Sequence, residues 1–212
     1  MSHADDPYNL DHNPDQYEPL LVVISGPSGV GKDTVIKCMK ERNQAIHFVI
    51  TATNRPPRKG EIHGVDYLFV STDKFAAMIE HDELIEYALV YNDYKGVPKE
   101  QVRQALTSGK DVVMRVDVQG AATIKDLCPD ALLIFLTTQD EDELVNRLKA
   151  RQTETPEGLN LRIATARKEL QRIKDFDYVV VNRDSHLDEA IDTILDIIHA
   201  EHHRVQQRKV TL

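Results

Sequence analysis

Cysteine and positive charge are both scarce in this chain, and long apolar runs are missing. Cysteine occurs twice, at Cys38 and Cys128, with no companion Cys or His at zinc-ligand spacing. That excludes a disulfide framework or structural metal as the basis of the fold, and both residues read as buried reduced thiols. There are 26 Lys and Arg against 35 Asp and Glu, for a formal charge of −9 and a pI near 5.5. Such a surface repels nucleic acid and anionic lipid at long range, so any anion-binding site must be local. No apolar run approaches the roughly 18 residues of a membrane span. The first nineteen residues hold no Lys or Arg, five acidic residues and three prolines, which fits neither a signal nor a transit peptide. The cytoplasm is the default compartment, with no nucleic-acid or membrane partner. At 212 residues and 41% hydrophobic content, the chain can bury a substantial core as one domain or one elaborated domain.

Residues 1–19 read as a disordered acidic tail or as a regulatory or partner-binding arm, because they lack periodicity and hold few large apolar side chains. Beyond them short apolar, β-rich runs alternate with helical stretches. Strands are predicted at Leu20–Ser25, His47–Ala52, Asp111–Asp117, Ala131–Leu136 and Tyr178–Val181. Four of these are nearly continuous apolar runs, as parallel strands covered on both faces require. Helices are predicted near 32–42, 73–82, 98–108, 140–151, 156–174 and 187–203, with Gly109 closing one and Asp140 and Ser185 capping two others. The alternation predicts an α/β fold with a central, largely parallel sheet flanked by helices. Two segments interrupt it. Residues 53–97, rich in Arg, Pro, Gly and Tyr, read as an inserted subdomain, and the polar stretch 151–162 reads as a mobile flap, or lid. The domain then spans 20–204, with 205–212 as a C-terminal tail.

Directly after the first strand, Gly26-Pro27-Ser28-Gly29-Val30-Gly31-Lys32 completes the pattern GxxxxGK and leads into a helix. That context points to a phosphate-binding loop, as in P-loop NTPase folds, over an ordinary glycine-rich βα turn. Gly26, Gly29 and Gly31 permit the torsions that turn successive N–H groups inward as an anion nest. The helix start adds its positive dipole end, and Lys32 can reach the outer phosphates. These residues, with Asp33 and Thr34, form the predicted ATP site. Asp33 stands where Ser or Thr usually offers a hydroxyl to magnesium. A bare carboxylate about 4 Å from one phosphate charge costs roughly 4 kcal/mol at an effective dielectric of 20, and the helix dipole returns only about 0.3–1 kcal/mol. Asp33 is therefore expected either to turn away from the phosphates or to take part in magnesium binding through water, with Thr34 supplying a hydroxyl next door.

The stretch TATNRPPRKGEIHGVDYLFVS, from Thr51 to Ser71, carries a family signal. So do the phosphate loop, Glu86 within IEY, Val116-Asp117-Val118-Gln119-Gly120, and RQTET from Arg151. Together, from about Leu20 to about Ala200, they resemble the guanylate kinase family. The resemblance implies transfer of the γ-phosphoryl group of ATP to GMP, giving ADP and GDP, with Mg2+, in purine nucleotide metabolism. It also implies a nucleoside-monophosphate-binding insertion, a mobile lid, and a monomer or small homo-oligomer.

Arg55, Arg58 and Tyr67 then hold the phosphate of GMP. Two guanidinium forks and a phenol in a Pro-restricted segment suit one phosphate by their own chemistry, the other reading being a solvated basic loop. Glu86 matches the guanine reader. An ionised carboxylate accepts from N1–H and from the exocyclic amine, whereas adenine offers a lone pair at N1; without the resemblance, Glu86 is one more acid on a helix edge. Thr51 matches a hydroxyl position in the same pocket. Lys32, Arg58, Arg147, Arg151 and Arg162 are the implied catalytic group, the last three closing over the transferring phosphoryl, with surface solvation open for any one of them. Asn182 matches a position near adenine, although a turn also favours Asn. Asp117, with Asp33, is the implied magnesium site, through water.

The family pattern is broken in Tyr94-Lys95-Gly96-Val97. Gly96 stays in the implied GMP site, Lys95 replaces a phosphate-binding Tyr, and Val97 replaces a base-binding hydroxyl. Arg115 replaces an acid, and both phosphate binding and a structural ion pair are open to it. Two rivals stand: a ribose 1,5-bisphosphate phosphokinase or another small-molecule kinase of the superfamily, and a non-catalytic guanylate-kinase-like binding module. The second is at odds with an intact Lys32 and flap arginines.

Overall fold

The protein is described here from a computed structural model covering residues 17–43, 45–90, 92–150 and 156–211. β1 (Leu21–Ser25) is buried along its whole length. Its alternate residues serve different cores. Leu20, Val22 and Ile24 join one hydrophobic cluster, and Leu21 and Val23 join another, which is why a strand of period two reads as an unbroken apolar run. β1 pairs in parallel with β7 (Val112–Arg115) on one side and β8 (Leu132–Thr137) on the other. With β2 (His47–Phe48) and β9 (Tyr178–Val181) the order is β2-β7-β1-β8-β9, parallel throughout.

One face is covered by α1 (Lys32–Arg42), α5 (Glu141–Ala150), α6 (Pro156–Leu170) and α7 (Leu187–His202), through Val35, Met39, Leu144, Leu148, Ala166, Ile191 and Ile194. The other is covered by α3 (Lys99–Thr107) and α4 (Val118–Leu127), through Val102, Ala105, Ala121 and Ile124. The α/β architecture with a central parallel sheet is as anticipated. Connections leave β1 in one direction and β7 in the other, so the carboxyl ends of these two neighbours form the crevice where such sheets bind ligands.

The insertion builds its own sheet from β3 (Ala52–Thr53), β4 (Leu68–Phe69), β5 (Leu84–Val90) and β6 (Asp93–Pro98), in the order β4-β3-β6-β5. With α2 (Thr72–Glu80) it encloses Ala52, Phe75, Met78 and Leu84.

Several expected elements differ. The run His47–Ala52 is not one strand. It leaves the main sheet after Phe48, and the Gln101 side chain bonds both Ile50 N–H (2.9 Å) and Ile50 C=O (3.1 Å) before the chain enters the second sheet at Ala52. α4 was not anticipated. The predicted helix 156–174 ends at Leu170 and is followed by a separate 3₁₀ turn, Ile173–Asp175. Asp140 does cap α5, accepting from Glu143 N–H at 2.8 Å, and Gly109 follows α3 at φ 74. Ser185 does not cap α7: it sits at φ 60 and His186 is the N-cap. Most of the predicted tail at 1–19 lies outside the described residues. In the C-terminal segment, Arg208 pairs with the buried Glu201 at 2.7 Å, so this stretch is held against the domain.

Candidate active site

Gly26 turns the chain at the end of β1 with φ 139, and a Cβ there would overlap the Leu136 carbonyl oxygen. The loop that follows ends at Gly31, the left-handed N-cap of α1. Lys32 donates from Nζ to the carbonyl oxygens of Gly26 and of Pro27, the latter at 2.9 Å. Burial pulls its ammonium down to about 8, against the opposing charges of Glu169 and Asp33.

The loop faces a cleft whose walls come from both sheets. Gly26, Ser28, Gly29, Gly31, Lys32 and Asp33 lie at the donor end. Thr51, Arg55, Arg58, Tyr67, Glu86 and Lys95 line the insertion side, with Arg115, Asp117, Arg162 and Glu169 between. These positions, up to 143 residues apart in number from Gly26 to Glu169, converge because the insertion and α6 both face the carboxyl ends of β1 and β7.

Arg55 is 7% exposed and held by Glu61, which accepts at 2.7 Å and 2.6 Å from its two terminal nitrogens. Glu61 also accepts from Arg58 N–H at 2.7 Å, fixing both arginines in one loop. The Arg55 guanidinium lies 4.8 Å from the centre of the buried Tyr67 ring. Thr51 is buried in the cleft wall. Lys95 faces the cleft from β6, and burial lowers its pKa.

Glu86 is on β5, not at a helix edge, and is only 6% exposed. Its Oε2 has no hydrogen-bond partner. Burial, then the charge of Asp117, pushes its carboxyl up to about 8. The carboxyl packs against the first turn of α4, where a Cβ on Gly120 would come within 2.7 Å of Oε2. Asp117 caps that helix, accepting from Gly120 N–H at 2.7 Å.

Asp33 does not turn away from the cleft. It lines the cleft and pairs with Arg115, whose Nη1 donates to Oδ1 at 2.5 Å. The counter-charge that the helix dipole is too weak to supply comes from the other unusual position. Arg115 forms this ion pair while still facing the cleft and lying 4.6 Å from the Tyr67 ring centre.

Other expected site residues stand elsewhere. Gly96 does not line the cleft; a Cβ there would meet Leu84 at 2.8 Å and Phe75 at 3.0 Å, so its role is packing in the insertion core. Val97 is fully buried in the main core. Asn182 is buried behind the phosphate loop and donates to the Val30 carbonyl at 2.8 Å. Arg147 stands beside it, donating to Val30 C=O (3.2 Å), Asn182 C=O (2.9 Å) and Asp184 (2.7 Å). Both side chains brace the loop from outside the cleft. Within the loop, Pro27, Val30 and Thr34 are not part of the lining: Val30 points into the core and Thr34 is exposed on α1. Arg162 does line the cleft, from α6, whereas Arg151 lies outside the described residues.

Sequence reasoning missed Glu169. It lines the cleft from α6 with a buried, unpartnered Oε2, and burial raises its pKa while the Lys32 ammonium opposes the rise. In sequence it is one more acid on an amphipathic helix, and nothing local marks it.

A parallel sheet with a glycine-rich loop and buried lysine at its switch point, facing an insertion full of cations, defines a nucleotide-binding phosphotransfer protein of the P-loop class. Comparison with known proteins narrows the class. The family model for guanylate kinase matches residues 18–201. Guanylate kinase 2, chloroplastic/mitochondrial, of Oryza sativa subsp. japonica is 50% identical over 92% of this chain and 69% of that one. Guanylate kinase of Halalkalibacterium halodurans is 43% identical over 86% and 89%. The crystal structure of guanylate kinase from Anaplasma phagocytophilum superposes with a TM-score of 0.74 at 26% identity, covering 90% of this chain and 89% of that one. The chain belongs to the guanylate kinase family.

Proposed function

We infer that the cleft transfers the γ-phosphoryl group of ATP to GMP, giving ADP and GDP. The observation that carries this reading is Glu86, a buried carboxyl with a vacant acceptor oxygen, facing the cleft that the phosphate loop closes at its other end. Guanine offers two adjacent donors, N1–H and the exocyclic amine, which answer two carboxylate oxygens. Adenine presents a lone pair at N1, leaving the buried carboxylate unpaired.

Lys32 and the loop amides take the ATP phosphates. Arg55, Arg58, Tyr67 and Lys95 hold the acceptor phosphate from the insertion side of the cleft, with Arg55 fixed by Glu61. Arg162, and Arg151 from the adjoining lid, complete the charge around the transferring group, whose loose transition state spreads charge over equatorial oxygens. The acceptor is already a phosphate oxygen, so no general base is required. Arg147 and Asn182 act at one remove by fixing the Val30 carbonyl and hence the loop.

Among the described residues no group of three or more His, Cys, Asp or Glu is placed to cage a metal ion. Mg2+ suits such a site, since it keeps several waters and is commonly held by one or two carboxylates together with substrate phosphates. Asp33 has an oxygen committed to Arg115 and Asp117 one to Gly120, which favours water-mediated links from both. When bound, magnesium would neutralise charge on the ATP phosphates.

No helix among the described residues is long and apolar enough to cross a membrane. The cytoplasm is proposed as the compartment, and recovery of the protein in an organelle fraction would overturn that assignment.

The test is an acceptor panel of GMP, AMP, UMP and ribose 1,5-bisphosphate with ATP and Mg2+, in wild type and Lys32→Ala. GMP is expected to be the acceptor turned over, and Lys32→Ala to abolish transfer. Absence of GMP turnover refutes the reading.

A further inference from the structure

Arg115 ends β7, beside Ile24 of β1, at the point where the donor loop and the acceptor cradle meet. Its side chain is 14% exposed, so its donors are largely removed from water. Among the described residues, Asp33 is the one hydrogen-bond acceptor the structure assigns to it, through a single nitrogen. A guanidinium carries several further N–H groups in a planar fork. Those groups sit in a cleft wall, next to the insertion's phosphate cradle: the guanidinium lies 4.6 Å from the Tyr67 ring centre, and Arg55 lies 4.8 Å from the same ring.

Arg55 and Arg115 share a design. Each is mostly buried, each lies over Tyr67, and each is held by one carboxylate, Glu61 or Asp33. Arg115 spends one nitrogen on Asp33 where Arg55 spends two on Glu61, and a mostly buried guanidinium with unspent donors is costly unless a ligand takes them up. A dianionic phosphate over Tyr67 would meet donors from both arginines at once.

We propose that Arg115 is a further substrate-binding residue, which contacts the acceptor phosphate opposite Arg55, and that Asp33 is the counter-charge that holds it in place while the cleft is empty. This rests on the reading of the cleft as a GMP site. Asp33 then has a defined use despite its position in the phosphate loop: it positions an acceptor-site arginine from the donor side and so ties the two sites together.

The experiment is calorimetric titration of wild type and Arg115→Ala with GMP, guanosine and ATP. Loss of a charge-assisted hydrogen bond predicts GMP binding weaker by about 10- to 100-fold, with guanosine and ATP changed by less than about 3-fold. Equal losses for GMP and guanosine, a loss confined to ATP, or no loss each overturn the proposal. Should Arg115→Ala not fold, Arg115→Lys carries the same contrast, because a point charge replaces the fork: GMP is expected to weaken and guanosine not. Wild-type protein that binds no GMP overturns the functional reading itself. Wild-type binding of GMP that neither Arg115 variant alters overturns this proposal alone.

Discussion

Glu86→Gln separates the two requirements placed on one buried carboxyl. In the empty cleft, burial pushes that carboxyl from 4.5 up to about 8. At 1.36 kcal/mol per pK unit, the ionised form is disfavoured by roughly 5 kcal/mol relative to a solvated acid. Guanine needs that ionised form. At pH 7 a group titrating near 8 is ionised in about one molecule in ten, so GMP binding releases a proton. KM for GMP should therefore fall about fivefold as pH rises from 7 to 8, and by about a further twofold before levelling off near pH 9. Glutamine presents an acceptor to N1–H but turns a donor towards the exocyclic amine. Losing one charge-assisted bond and facing donor to donor should cost about 2–4 kcal/mol, a KM raised roughly 30- to 1000-fold, and the slope between pH 7 and 8 should vanish.

The assay is steady-state ADP production at saturating ATP over pH 7–9. The second ionisation of a phosphate monoester, near pH 6, is common to both enzymes and cancels in the comparison. Stability runs the other way. A carboxyl whose folded pKa is raised contributes fully below about 4.5 and loses that contribution as pH rises to about 8. The empty variant should therefore melt above the empty wild type at pH 8, by up to a few kcal/mol. A wild-type KM for GMP that is flat across pH 7–8, or a variant with unchanged KM, refutes the reasoning.

Three other substitutions test the supports of the site. Gly120→Ala adds a methyl group 2.7 Å from Glu86 Oε2 while improving helix propensity by about 1 kcal/mol; KM for GMP should rise about tenfold as the carboxyl shifts, with KM for ATP and the melting temperature held. Glu61→Gln exchanges the charge-assisted fork on Arg55 for a neutral one; KM for GMP should rise about 3- to 30-fold, and guanosine binding measured by calorimetry should not change. Gly26→Ala places a Cβ on the Leu136 carbonyl at φ 139; thermal or urea unfolding should show a loss of at least about 3 kcal/mol, and a near-neutral result would show that the loop can refold around a side chain.

Where the sequence was legible, the structural cause is local. β1 and the phosphate loop could be read because an apolar run, three glycines and a lysine act within a dozen positions on the same backbone. The helix after Asp117 could not. Gly120, Val118 and Thr123 give it weak propensity, and it forms because Asp117 caps it and Ala121 and Ile124 find the core. The run after His47 has the composition of one strand, but whether it stays in one sheet is decided by Gln101, about fifty residues on, which bonds the backbone at Ile50 and bridges the gap between sheets. Gly96 is a contrasting case. It sits among expected GMP contacts in sequence, yet strand alternation turns that position towards Phe75 and Leu84 while its neighbour Lys95 faces the cleft.

Asp33 and Arg115 show most clearly what a single position conceals. Taken alone, an acid in a phosphate loop opposes its ligand, and an arginine at a strand end has two equally natural uses. They are 82 residues apart, and no local pattern joins them. The parallel register that sets Arg115 beside Ile24 brings it to the start of the loop leading into α1, and each residue then supplies what the other lacks. Net charge at the cleft is governed by such pairs more than by any one residue: Arg55 with Glu61, Arg115 with Asp33, Lys32 opposed by Glu169. The first two anchor a cation and leave donors for phosphate, while Glu169 acts on Lys32 through its charge alone. A substitution that removes only the acid from one of these pairs should therefore loosen the cation before it improves the attraction for nucleotide, which is why the acids belong to the binding machinery despite the sign of their charge.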